Sequence, residues 1–299
     1  MFSRRHPILF FLLILAACST ILCVSGMLVF FSISRMMFTS AGTFHEPKGN
    51  IGIVEVTGPI LSSRQVIENI KAFRDNDRIK AIVVRVDSPG GGVGPSQEIF
   101  RELMKTRPVK TVVASMGSVA ASGGYYIAAG AQVIVANPGT ITGSIGVIME
   151  HVNLTELVQK IGISPLVIKS GEFKDLGSPF RKLGDKERQL LQKLVDELHQ
   201  QFVSDTSQAR NIEMKTMGEI ADGRVYTGQT AKDLNLVDRL GNLDDAVVWA
   251  AELAGMDQEP VPVYPKDNPI SVLRKITQVL FKDLNISGTI TDNLRYIIH

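Results

Sequence analysis

Apolar positions recur along this chain with two different periods. Residues 51–56, Ile-Gly-Ile-Val-Glu-Val, predict a strand, and 79–86 is a β-branched run of the kind buried on both faces of a sheet. Residues 111–115 and 132–136 predict two further strands. Between them the period lengthens. Over 65–73 Ile67, Ile70 and Phe73 share one helical stripe, a second helix is predicted over 97–105, and a third opens at Ser122 and runs through Ala129. Short apolar strands alternating with helices from about 50 to 136 predict an α/β fold with a parallel sheet and flanking helices. Helices are also predicted over 153–161, 185–210 and 243–254. In the long one, Leu190, Leu194, Leu198 and Phe202 fall at i+4 spacing, a stripe suited to core or to oligomer contact. From Asn268 the tail is amphipathic through Ile270, Leu273, Ile276 and Leu280, a face open to the domain, a neighbour or a membrane.

The first fifty residues follow a different rule. No charged residue occurs from Ile8 to Ile33. As a helix this stretch spans roughly 39 Å against a hydrocarbon core of ~30 Å. Arg4, Arg5 and His6 precede it, so the positive-inside rule puts 1–7 in the cytoplasm, 8–33 across the membrane as a signal anchor, and the large domain outside. A tether over 34–49, a domain over 50–255 and the tail over 256–299 complete the expected organisation. The competing reading is a cleaved signal peptide, whose apolar region is normally ~7–15 residues. Leu15-Ala16-Ala17-Cys18 resembles a bacterial lipobox, but the chain after Cys18 stays uncharged and mostly apolar. Cys18 and Cys23 both lie in this segment, which leaves the exported domain no disulfide, thiolate nucleophile or cysteine metal site. A net charge of +2 without a Lys/Arg cluster argues against a nucleic-acid partner.

Two small-residue runs carry the candidate chemistry. Gly90-Gly91-Gly92-Val93-Gly94 lacks the Gly-Lys-Ser/Thr of a phosphate loop, and Pro95 stands where a dinucleotide fingerprint needs glycine. What remains is a tight turn that exposes backbone N–H groups at the carboxyl end of a strand, where open α/β sheets bind ligands. Such groups are suitable oxyanion donors. The second run, Gly117-Ser118-Val119-Ala120-Ala121-Ser122-Gly123-Gly124, leaves Ser122 as either a packing residue or a nucleophile. A nucleophilic serine needs a base. His6, His45 and His299 lie outside the domain, and His199 falls on the long helix. His151, after the apolar 145–149 run, is one candidate. Lys174 is another, although a loop lysine is a solvated charge unless burial or nearby cations lower its pKa from ~10.4. On residue types alone both candidates stand.

Four blocks in order resemble the signal peptide peptidase SppA family. They are Asp87-Ser88-Pro89-Gly90-Gly91-Gly92, the 115–126 run around Ser122, Thr142-Gly143-Ser144-Ile145-Gly146-Val147, and Lys169-Ser170-Gly171-Glu172-Phe173-Lys174-Asp175. The general resemblance covers about 50 to 255 and is to the short, single-module form. It implies a ClpP/crotonase-like fold behind one N-terminal transmembrane helix. It also implies a Ser–Lys dyad in which Ser122 is the nucleophile, Lys174 the general base, Ser144 the residue orienting the lysine, and the Gly91 and Gly123 N–H groups the oxyanion hole. No metal or organic cofactor is implied. The implied partners are cleaved signal peptides as substrates, the membrane, and further copies of the chain in a ring-like octamer with shared active sites. The implied location is the bacterial inner membrane, with the catalytic domain on the periplasmic side. The rival readings are a crotonase-like enzyme acting on coenzyme A thioesters, an inactive scaffold of the same fold, and a ClpP-like peptidase using His151.

Overall fold

The computed structural model describes residues 49–265 continuously, together with helical positions between Ile8 and Leu28. Residues Met1–Lys48 and Gly49–His299 form two separate units. The expected transmembrane segment, tether and amphipathic tail lie largely outside the described residues. Among those described, no helix is long and apolar enough to cross a membrane.

Three parallel strands form the centre of the domain: β1 (Ile51–Thr57), β2 (Ala81–Ser88) and β3 (Thr111–Ala121). Ile51 pairs with Ala81, and Ala81 with Thr111. β3 is long enough to pair with two strands in succession. Val113–Ser115 bond β4 (Val133–Ala136), and Val119–Ala121 bond β5 (Ile141–Gly143). β6 (Val225–Thr227) is antiparallel to β5, whereas β7 (Arg239–Leu240) runs parallel to β4 and β8 (Pro262–Val263) parallel to β1. The expected α/β fold with a mostly parallel sheet is therefore present.

Alternation along each strand sends its side chains to two cores. Val54, Val56, Val84, Val86, Val112, Ala114 and Met116 face one side. They pack beneath α1 (Arg64–Arg74), α2 (Val93–Thr106), α3 (Gly123–Ala129) and the later part of a long helix, supplied here by Ile70, Phe73, Ile99, Phe100, Leu103, Ile127 and Phe202. Ile51, Ile53, Ala81, Val83, Val113 and Val135 face the other side, against Ala246, Val247, Ala250 and Ala251. Each fully buried Val or Ile contributes about 1.5–3 kcal/mol relative to exposure. Gly52 admits the Phe73 ring; a Cβ there would lie 2.5 Å from the ring.

Between α3 and the end of the domain come α4 (Thr155–Lys160), α5 (Asp185–Arg210), α6 (Met214–Ile220), α7 (Gly228–Asp233) and α8 (Leu243–Leu253). The long helix has the expected bounds. Its second half is core, with Phe202 and Val203 buried, but Leu190 and Leu194 are each 43% exposed. Two differences from the pattern-based expectation matter for the site. α2 starts at Val93, because Pro95 sits in a first turn whose N–H groups need no helical partner. β3 continues past Ser115 to Ala121. Apart from Val119, its second half lacks the branched and aromatic residues that mark strands. It is held instead by the Val119 N–H donating to Asp87 Oδ1 at 3.1 Å and Thr140 Oγ1 donating to the Gly117 carbonyl at 2.7 Å. Ser88 pairs with Ala120 across a register shift.

Candidate active site

Because β3 extends to Ala121, Ser122 has a single-residue turn in which to pass from strand to helix. Its backbone takes φ 52° and ψ −121°, a region costly for a residue with a Cβ. A strained serine between a strand and a helix lifts its Oγ above the carboxyl end of a sheet. Ser122 N–H donates to the Gly143 carbonyl at 2.8 Å, and Tyr126 N–H donates to the Ser122 carbonyl at 2.9 Å. The side chain caps nothing, which leaves Oγ available. The small neighbours are sterically required: a Cβ on Gly90 would meet Ser122 Cβ at 2.8 Å, and one on Gly124 would meet the Ser88 carbonyl at 2.8 Å.

The glycine turn after β2 comes up beside this elbow. Gly90, at φ +108°, donates its N–H to Ser88 Oγ at 3.1 Å. Ile60 N–H donates to the Gly90 carbonyl at 2.9 Å, and Gly92 N–H donates to the Ile60 carbonyl at 2.8 Å. These two bonds make Ile60 and Gly91 a parallel bridge. In such a bridge the central residue's own N–H points the opposite way, so the Gly91 N–H is turned away from Ile60. The Gly123 N–H opens α3 and is one of that helix's orphan donors. Among the described residues neither group donates a hydrogen bond. Gly91 N lies 3.4 Å from where a Gly123 Cβ would stand, and both glycines line one small pocket with Ser122.

The walls of that pocket are mostly apolar, with Val93, Val147, Tyr126 and Phe202 beside the polar Ser96. Tyr126 stacks on Phe202 with centroids 4.3 Å apart. Its hydroxyl donates to Asp205, which also pairs with Arg101 at 2.8 Å. Burial, reinforced by that carboxylate, pushes the Tyr126 phenol well above its ordinary range and keeps it a neutral donor.

The five expected site residues separate into two groups. Ser122, Gly91 and Gly123 share the pocket. Ser144 joins them through the sheet: Ala121 pairs with Gly143, so Ser122 and Ser144 leave neighbouring strands at matching positions, both with φ near 50°. Ser144 N–H donates to the Arg224 carbonyl at 2.8 Å. Lys174 is the outlier. It lies on an exposed turn, its N–H donates to the Gly171 carbonyl at 3.2 Å, and it does not line the Ser122 pocket. Neither does His151, which faces a separate hollow beside Lys182, Leu183 and Arg188 and whose buried Nε2 has no hydrogen-bond partner among the described residues. His199 Nε2 bonds the Ala221 carbonyl at 2.8 Å. Sequence reasoning missed Ile60, which anchors the glycine turn, and the Tyr126–Asp205–Arg101 set, whose members are separated by up to 104 residues. No local pattern signals contacts at that separation.

A serine at a strand–helix elbow, beside two backbone N–H groups without acceptors among the described residues, is an arrangement of the kind serine hydrolases use. Residues 52–140, which hold Ser122 and nearly all of β1 to β4, match the family described as Clp protease. A second match, to Peptidase family S49, covers residues 105–257, and the chain belongs to that family, which contains SppA and protease 4. It is 46% identical over 229 residues to the Synechocystis protein named "Putative protease slr0021", covering 76% of this chain and 82% of that one. It is 37% identical over 206 residues to "Serine protease SPPA, chloroplastic" of Arabidopsis thaliana, covering 69% and 30%. It is 36% identical over 231 residues to "Protease 4" of Salmonella typhi, covering 74% and 37%. The chain thus spans about a third of the length of the last two.

Proposed function

We propose that this protein is a membrane-anchored serine endopeptidase. In this reading Ser122 attacks a peptide carbonyl and Lys174 of a neighbouring copy is the base. The observation that carries the proposal is the Ser122 elbow beside the free Gly91 and Gly123 N–H groups. Neutral Lys174 takes the Ser122 hydroxyl proton as the Oγ–carbon bond forms. The two N–H groups stabilise the oxyanion, a donor of this kind contributing about 2.7–4 kcal/mol. Collapse breaks the carbon–nitrogen bond, and the lysine ammonium delivers its proton to the departing amine. Water, deprotonated by the same lysine, then releases the acyl group.

The surroundings of Lys174 support a base supplied by another copy. Its segment exposes Leu166 at 87% and Ile168 at 92%, with Phe173 and Phe180 also exposed. Large apolar side chains exposed together in one segment are candidates for cover by a partner. Leu190 and Leu194 of α5 are exposed as well, in keeping with a ring-like octamer. Ser144, one position beyond Gly143, is suited to bond the incoming amine. The uncharged 8–33 segment anchors the chain in the bacterial inner membrane with the domain on its outer side. The apolar pocket walls suit hydrophobic peptides, of which cleaved signal peptides are the class released at that surface. No cofactor is needed.

The test is hydrolysis of a hydrophobic peptide by Lys174→Ala and His151→Ala variants of the full chain, with assembly checked by sedimentation. Lost activity in the first and retained activity in the second is expected. Activity surviving in Lys174→Ala would remove the dyad.

A further inference from the structure

The turn that carries Lys174 is short and solvent-exposed, yet a built ionic cluster secures it. Asp175 accepts from Lys169 Nζ at 2.6 Å, Arg181 Nε at 2.8 Å and Arg181 Nη2 at 2.9 Å. Lys169 Nζ also donates to the Glu172 carbonyl at 2.8 Å, which closes the turn on itself. Arg181 donates a second time, from Nη1 to Glu187 at 2.7 Å. Glu187 is buried at 7% exposure and accepts the Gly184 N–H at 2.9 Å, the capping contact that starts α5. One guanidinium therefore joins the residue next to Lys174 to the first turn of α5. Bidentate arginine contacts fix direction as well as distance.

We propose that Arg181 is the positioning residue for Lys174: with Lys169 it neutralises Asp175 and clamps the 169–178 turn to the start of α5, so that Lys174 is presented outward in one orientation. This rests on the reading of Lys174 as the base. Two consequences follow from the chemistry. The clamp lowers the freedom of a flexible four-carbon side chain's anchor point, which a base in a shared site needs. It also occupies a carboxylate that would otherwise stand unscreened beside the lysine and favour its charged, inactive form. The ionisable groups gathered here are Lys169, Glu172 and Asp175 on the turn, and Arg181, Lys182, Lys186 and Glu187 at the helix start. Glu172 is the other nearby carboxylate, and it faces Lys186 at 3.7 Å. The carboxylates of the clamp respond as this geometry requires: the Arg181 bonds, then Lys169, hold Asp175 well below the usual range, and Arg181 with the Gly184 N–H holds Glu187 at about 2.

The experiment is the pH profile of kcat and kcat/KM for peptide hydrolysis by full-length Arg181→Gln, alone and with Asp175→Asn, beside Lys174→Ala. Arg181→Gln is expected to assemble, to lose about tenfold in kcat at neutral pH with KM nearly unchanged, and to move the alkaline-rising limb upward by roughly half a unit. Adding Asp175→Asn returns the limb toward its original position while kcat stays low, which separates charge from clamping. Should Arg181→Gln fail to assemble, Lys169→Met reads the same shift with a smaller amplitude. Unchanged kcat and an unmoved limb in Arg181→Gln, or an unmoved limb in Lys169→Met, overturn the proposal if Lys174→Ala is inactive. An active Lys174→Ala instead overturns the dyad on which it rests.

Discussion

Replacing Gly91 with alanine attacks the oxyanion geometry through a known collision. The new Cβ would stand 2.4 Å from the Ile60 carbonyl oxygen, 2.5 Å from its nitrogen and 2.8 Å from its carbonyl carbon. All three are backbone atoms in a hydrogen-bonded bridge, so no side chain can swing aside. Reaching even 3.0 Å from that oxygen requires a displacement of 3.0 − 2.4 = 0.6 Å. The bonds at risk are Ile60 N–H to the Gly90 carbonyl at 2.9 Å and Gly92 N–H to the Ile60 carbonyl at 2.8 Å. At about 1 kcal/mol net for each, the fold loses about 1–2 kcal/mol. That corresponds to a melting temperature about 2–8 °C lower for a domain of this size. Activity falls further, because displacement of the turn re-aims the Gly91 N–H. Loss of one oxyanion donor costs about 10²–10³ in kcat, with KM little changed since the donor acts in the transition state. Steady-state hydrolysis of a hydrophobic peptide and a thermal melt read both effects. Gly94→Ala is the matched control: nothing lies within 4 Å of its added Cβ, and it sits in the first turn of α2. It should keep full activity and gain up to about 1 kcal/mol in stability. A Gly91→Ala protein with wild-type kcat would refute the assignment of that N–H to the oxyanion hole.

Gly52→Ala should destabilise the domain by about 1–3 kcal/mol in chemical denaturation, because its Cβ would meet the buried Phe73 ring at 2.5 Å. The clamp around Lys174 should open in acid. Glu187 is lowered from 4.5 to about 2 by Arg181 and the Gly184 N–H, so its stabilisation is complete above pH 4.5 and is lost as pH falls toward 2. Hydrogen-exchange protection over 169–190, relative to the intrinsic rate at each pH, should fall across that window, and protection unchanged down to pH 2 would contradict the ion-pair account.

The strands at 51–57 and 81–88 were legible because their branched residues are buried on both faces, and the 185–210 helix because Leu190, Leu194, Leu198 and Phe202 recur at i+4 spacing. Ser122 and the two glycines were legible as motifs, since tight turns and close backbone approaches restrict residue choice to very small side chains. The strand through Ala121 was not, because Gly117, Ser118 and the alanines carry no strand preference and owe their conformation to Asp87 and Thr140. Arg181 was equally hidden: an arginine among charged residues reads as surface, and only its fork across Asp175 and Glu187 gives it a task. The relation of Lys174 to Ser122 lies beyond both periodicity and the single folded chain, because the proposed contact is made between copies.

Mixing two inactive variants tests that contact most directly. Ser122→Ala protomers keep the lysine and Lys174→Ala protomers keep the serine. If each site takes its serine and its lysine from different copies, co-assembly at equal amounts should restore roughly a quarter of wild-type activity per protomer, the fraction of sites that pair an intact serine with an intact lysine. Hydrolysis that stays at background in verified mixed assemblies would contradict the shared site.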